Sequence, residues 1–270
     1  MFPWGYSVMS FDAPGPSPSP QPGSEPTPPA PGPAPLPHAI GVLRSPQRLA
    51  TAVTVLLSAG AVVDLFSSGV SLYTWKLMTD YIADPAAVEP DSLDLSDSLT
   101  THTGFVQSVL VLATAVVFII WFHRVRCNGQ VFRPDGFSRS AGWAIGAWFI
   151  PIANLFLPYR TARETWEAST PYAPDGSAHR QVSVAPVIAW WLVFTASEIL
   201  DRIAAKQHVS AETPEAIRDA SAFSSVADLT TVVAAVLAVV FVRKLTALQR
   251  AKAEQMLLNR TIPGTATPAV

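Results

Sequence analysis

Four runs of about twenty residues, built mostly of Val, Leu, Ile, Ala and Phe, alternate with polar stretches along the chain. They cover about 48–73, 104–122, 184–204 and 224–242. A helix needs roughly 20 such residues to cross about 30 Å of hydrocarbon, so each run predicts a spanning helix. A fifth apolar run, 141–160, is broken by Pro151, Asn154 and Pro158. A proline in a helix interior removes a hydrogen bond and costs about 3 kcal/mol. Broken backbone at membrane depth is tolerated only where protein or water covers it. The pattern therefore predicts an all-α membrane protein: four transmembrane helices plus a Pro-broken re-entrant or interfacial hairpin. Five transmembrane helices is the alternative.

The polar stretches read as connections. Residues 76–103 form an acidic loop with Asp80, Asp84, Glu89, Asp91, Asp94 and Asp97. Residues 127–140 turn at Pro134-Asp135-Gly136. Arg160, Arg163, Glu164 and Glu167 have the i,i+3 and i,i+4 spacing of an exposed helix, which Pro171 and Pro174 would stop. A polar loop is expected over 205–222. The last run should continue as a helical extension to about Asn259.

Charge chooses between the two topologies. Lys and Arg near span ends prefer the cytoplasm. Arg44 and Arg48 place the N-terminus there, and the basic stretch 123–140 follows two spans later. If 141–160 also crossed, Arg160, Arg163 and the basic tail after Val242 would all lie outside. A hairpin that enters and leaves on one face removes both conflicts. Both termini are then cytoplasmic, in the cell (plasma) membrane.

Residues 1–46 hold 14 of the 25 prolines. Such a segment buries too little apolar surface to offset its ordering entropy. The expected division is a disordered Pro-rich cytoplasmic tail over 1–46 and a polytopic helical membrane domain over 47–245. A cytoplasmic helical extension and a disordered C-terminus would occupy 246–270. No signal peptide is expected at the start, which has neither a basic nor an apolar leader. Hydrophobic residues make up 49% and charged residues 14%, against about 25% charged in soluble domains. A net charge of −2 argues against nucleic acid as a partner. The single cysteine, Cys127, excludes an internal disulfide and reads as a small filler residue.

Several strings together carry a resemblance. They are Trp121-Phe122-His123-Arg124, Gly142-Trp143-Ala144-Ile145-Gly146, Trp148-Phe149-Ile150-Pro151-Ile152-Ala153-Asn154-Leu155, Pro158-Tyr159 and Arg163-Glu164-Thr165-Trp166. They resemble the core signature of DUF4328, an actinobacterial integral membrane family of unknown function, over roughly residues 50–250. The resemblance implies a membrane protein and lends no catalytic residues. Ala147 stands where a second Trp before the Phe would be expected.

Candidate functional residues follow from polar or small groups in apolar surroundings. Gly142 and Gly146 form a G-x-x-x-G, which allows close helix approach, in internal packing first and dimerisation second. Pro151, Asn154 and Pro158 could form an unwound element that holds an ion or solute, or a purely structural hairpin with Asn154 satisfying freed backbone groups. Asp64, Glu198, Arg202 and Asp228 are ionisable groups inside or at the edge of spans, which are costly there unless paired. An Asp64–Arg202 pair, or Glu198 with Arg202, is expected. Asp91, Asp94 and Asp97 read as a solvated loop, and the five histidines lack metal-ligand spacing. Ala115-Val-Val-Phe118 and Ala238-Val-Val-Phe241 form a faint internal echo.

No nucleophile–base pair, phosphate loop or dinucleotide fingerprint is visible. No cofactor or metal is expected. The first functional expectation is a non-enzymatic scaffold or interaction protein, whose partners are the lipid bilayer and a protein that takes the Pro-rich tail. The second is a small-solute or ion transporter or channel using 141–160. An integral membrane enzyme is the weakest.

Overall fold

The computed structural model describes residues 43–173 and 182–261. The expectations for the Pro-rich tail and for Pro174-Asp175-Gly176, and most of those for the C-terminus, fall outside these residues. The described chain is all helical. Six α-helices follow in order: α1 (Gln47–Ala83), α2 (Pro90–Phe132), α3 (Trp143–Gly146), α4 (Leu157–Ser169), α5 (Ala185–Ser210) and α6 (Pro214–Thr261).

Three of them, α1, α2 and α6, are long and apolar enough to cross a membrane. Their apolar faces point outward, as at Val55, Val62, Phe66, Phe105, Leu112, Val116 and Val233, each more than half exposed. Only 17% of the apolar window of α1 and of α2 is buried inside the protein. Such a continuous apolar surface suits a lipid solvent and would drive aggregation in water. α5, expected as a further span, is not among the three, because Glu198, Asp201, Arg202 and Lys206 crowd its second half.

The helices are longer than the apolar runs. At about 1.5 Å per residue, α2 extends about 65 Å, twice the hydrocarbon thickness. Two expected loops are thereby corrected. The acidic stretch 76–103 is mostly helix: α1 continues to Ala83, and α2 begins at Pro90. The stop and restart have local causes. The Asp84 carboxylate accepts from the Ala86 N–H at 3.0 Å, and Pro85 and Pro90 open new helical turns that need no N–H. Across this turn, Thr74 and Ser96 bond at 2.7 Å. The expected loop 205–222 shrinks to three residues. Thr213 caps the Ala216 N–H at 3.2 Å and Pro214 starts α6.

α1 packs along α6, which packs along α5 on its other side, and α2 lies against α1. α2 and α5 are the outer members and do not pack on each other along their length. α2 and α6 run parallel. Trp121 meets Phe241 at 5.7 Å, and Gln249 donates to the Val125 carbonyl at 2.7 Å. The two echo segments thus reach one level, where Phe118 and Phe241 both contact Trp190.

Segment 133–156 is folded back and broken. After a 3₁₀ turn at Pro134–Gly136 come the single turn α3 and irregular backbone. Residues flanking the 141–160 run meet: the Ser138 hydroxyl donates to Glu164 of α4 at 2.6 Å. At the tip, Ile152 has φ 66° and ψ −49°, and the Ala153 N–H reaches the Pro151 carbonyl at 2.7 Å. This is a γ-turn in a strained region for a β-branched residue. Phe149, Ile152 and Phe156 are exposed around it.

Candidate functional site

The polar groups inside the bundle fall into two clusters at different depths. The first lies between the apolar stretches of α1, α2, α5 and α6. Gln107 of α2 donates one amide nitrogen to Asp64 at 2.9 Å and to Asp228 at 3.2 Å. A single side chain thus bridges two carboxylates from α1 and α6. One turn away, Ser68 and Ser225 bond at 2.8 Å, and Thr231 donates to Asp201 at 3.2 Å. Glu198 and Arg202 approach to 3.7 Å on the exposed side of α5.

These contacts correct one expected pair and support the other. Arg202 takes Glu198, four residues earlier, and not Asp64. Asp64 is held by an amide that no charge pattern indicated. Gln107 was legible only as one polar residue in an apolar run. The Asp201–Thr231 bond depends on α5 and α6 lying antiparallel, which spacing within either helix cannot reveal.

Next to this cluster is a cavity of about 240 Å³. Asp64, Gln107, Glu198 and Thr231 line one end, and Phe118, Trp148, Trp190 and Ala238 the other. Asn154 is not in the lining, so the broken segment contributes Trp148 alone. Trp148 stands between the outer helices: its ring meets Phe118 and Phe122 of α2 at 5.8 and 6.2 Å, and Trp191 and Phe194 of α5, both at 6.2 Å.

The second cluster closes the bundle at its basic end. Gln249 of α6 is buried and donates to the Val125 carbonyl at 2.7 Å and the Ser169 hydroxyl at 3.0 Å. It accepts from Asn128 at 3.1 Å. Asn128 also exchanges two bonds with the backbone of Arg44, at 2.8 and 3.1 Å, tying down the residues before α1. The Lys252 ammonium, fully buried, donates to the Ala168 carbonyl at 2.8 Å and lies over Tyr172 and Phe132. Arg126 is also buried. Its guanidinium stacks 3.4 Å from the Phe137 ring and donates to the Arg139 carbonyl at 2.6 Å. Gly129 makes this stack possible, since a Cβ there would sit 2.9 Å from Phe137.

The remaining expected residues sort plainly. A Cβ on Gly142 or Gly146 would meet nothing within 4 Å. Neither glycine therefore serves close helix packing, because α3 is a single turn and not a spanning helix. Pro158 is a helix starter at the head of α4, not a breaker. The Asn154 side chain makes no hydrogen bond within the described residues; only its backbone N–H bonds, to Ile150 at 3.0 Å. The structural role expected of it, satisfying freed backbone groups, is not seen. Arg163 pairs with Glu167 at 2.8 Å on the exposed face of α4, and that carboxylate raises the guanidinium's pKa. Trp121 is fully buried against Phe241 and donates to Thr246 at 3.4 Å. Cys127 lies 3.6 Å from the Nε2 of His123, and no third group among the described residues orients that ring.

Residues 84–247, more than half of the chain, match the family described as Domain of unknown function (DUF4328). The match begins just past α1, so the helix that carries Asp64 lies ahead of it. No curated protein and no solved structure matches the chain. The interrupted tryptophan- and proline-rich segment and the helices around it thus place the chain in that family: it belongs to DUF4328.

Proposed function

We propose that the protein is a non-enzymatic scaffold of the cell membrane, with four crossing helices and one re-entrant hairpin, whose basic end faces the cytosol. The observation that carries this reading is the Ser138–Glu164 bond at the base of the folded-back segment. A run whose flanking residues are bonded to each other starts and finishes near one level. The connectors on either side of it then share one face of the bilayer. α5 serves as the fourth crossing because it follows α6 from Trp190 at Phe241 to Asp201 at Thr231. Its acidic residues are tolerable at depth because Thr231 and Arg202 partner them.

The two ends of the bundle differ in charge. Arg133, Arg160, Arg163, Arg243, Lys244 and Arg250 are exposed at one end. Asp84, Glu89, Asp91, Asp94, Glu212 and Glu215 are exposed at the other. The basic end suits anionic cytoplasmic lipid, at about 1 kcal/mol per cation near the surface. It would present the Pro-rich tail to a protein partner. Among the described residues, the Cys127–His123 contact lacks the orienting third group of a nucleophile–base pair. Movement of a solute or ion is a second reading, favoured by Asp64 at the cavity wall.

Single cysteines test the layout in a Cys127→Ser background. Those at Ser140 and Arg163 should react with an impermeant maleimide only after permeabilisation. Those at Ala87 and Glu212 should react in intact cells. Reaction of Ser140 and Arg163 from opposite faces would overturn the proposal. Solute flux in proteoliposomes that Asp64→Asn abolishes, with expression unchanged, would favour the second reading.

A further inference from the structure

We propose that the cavity between α2 and α5 is a binding site for a single-chain amphiphile with a cationic head, taken up sideways from the bilayer. This goes beyond the scaffold role and does not depend on which face is cytosolic.

The shape comes first. α2 and α5 both line the cavity; they touch through Phe118 and Trp190 at 5.8 Å but do not pack along their length, so the wall between them is incomplete. Val111 and Ala115 of α2 line the cavity and are themselves exposed, so it opens at the side of the bundle beside the outward apolar faces. Trp148 plugs only its end nearer the basic side, wedged between the two helices. On α1 the lining runs from Leu56 to Asp64, about 12 Å at 1.5 Å per residue. A volume of about 240 Å³ falls below the roughly 300–1,000 Å³ of drug-sized sites. One alkyl chain fits, and a two-chain lipid does not.

The chemistry gives the head group. The walls are Leu, Val, Ala, Phe and Trp, and the polar groups collect at one end. Among the charged residues in the lining, Asp64 and Glu198 are both acids, and no Lys or Arg lines the cavity. Asp64 accepts the Gln107 amide on Oδ1 alone, so Oδ2 retains its acceptor capacity. The buried Oδ2 of Asp228, behind Gln107, makes no hydrogen bond among the described residues, although the Ser67 side chain also interacts with that carboxyl group. An anionic head would face two carboxylates, and a neutral alcohol would leave Asp64 without a counter-charge, since Arg202 pairs with Glu198 and not with Asp64. An alkyl ammonium supplies one while its chain runs toward the aromatic end. Gly60 lies in the wall, and a Cβ there would meet nothing within 4 Å. Gly60→Leu therefore fills the cavity without a clash at its first carbon.

The test uses the full chain in phosphatidylcholine nanodiscs, whose lipid carries no net charge. The probes are chain-brominated decyltrimethylammonium, decanol and decanoate, read by quenching of tryptophan fluorescence at Trp148 and Trp190. Saturable quenching is expected for the ammonium at about tenfold lower concentration than for the alcohol, with decanoate weakest. Asp64→Asn should erase the preference, and Glu198→Gln should reduce it in parallel should Asp64→Asn fail to fold. Gly60→Leu should remove saturable quenching by all three. Equal quenching by ammonium and alcohol in the unaltered protein would overturn the proposal, as a groove filled indifferently by lipid. So would absence of saturation, or a preference that survives both acid substitutions.

Discussion

The two ends of one bundle solve the same problem differently. At the basic end, α4, the folded-back segment and the extension of α6 fill the space between the long helices. There even a lysine, an arginine and a glutamine are buried with partners. Toward the acidic end no such element occurs among the described residues, and α2 and α5 flank a cavity. Four helices in a row cannot close on themselves. Something must be inserted between the outermost two, and here a broken segment reaches only part of the way, ending its contribution at Trp148. The comparison teaches that the proline-interrupted run works as a partial plug. Its irregular backbone is what lets a wide indole enter between helices that α3, a single turn, could not follow.

The sharpest way to break the contrast is at the point where the two regions meet. Trp190 stacks on Phe241 at 4.4 Å with the rings nearly parallel, and it also lines the cavity. Trp190→Ala should lower stability by about 3–5 kcal/mol and open the cavity into the closed end. Unfolding in nanodiscs would measure the first effect and probe quenching the second. Gln249→Ala confines the damage to the closed end. It leaves the Val125 carbonyl and the Asn128 amide short of partners, at about 2–3 kcal/mol, and should free the segment before α1. Hydrogen exchange at Leu43–Ser45 would rise, and the affinity of the cavity for the ammonium probe would not change.

The plug itself can be sharpened. Ile152 is strained and exposed, so Ile152→Gly should stabilise the protein by about 1 kcal/mol. A destabilising result would show that the isoleucine side chain contributes more to lipid contact than the backbone strain costs. Arg163→Ala is the calibration: an exposed pair with Glu167 should contribute almost nothing to stability. A larger loss would mean that α4 depends on its outer face.

How much of this could be read beforehand differs by region. The apolar runs were plain, because lipid-facing residues must be greasy wherever neighbours lie. The break in the run 141–160 was legible from Pro151. Loop lengths were misjudged. Acidic and polar stretches such as 90–103 and 205–210 continue as helix in water without an apolar pattern, and only caps at Asp84 and Thr213 mark their ends. The candidate site was half visible. Asp64, Glu198 and Asp228 stood out as charges among aliphatics. Gln107, Thr231 and Gln249 did not, because an amide or hydroxyl gains meaning only from the group opposite it. Gly142 and Gly146 fit a packing motif on paper, while Gly129, in no motif, holds the close approach.

By itself the sequence determined the order of the greasy segments along the chain and their suitability for lipid. Both follow from local composition, since each residue pays its transfer energy to lipid or water independently of the rest. Only the tertiary structure decided which polar groups meet and where space is left. A hydrogen bond such as Gln107 to Asp64 and Asp228, and the gap between α2 and α5, are properties of how helices distant in the chain lie side by side.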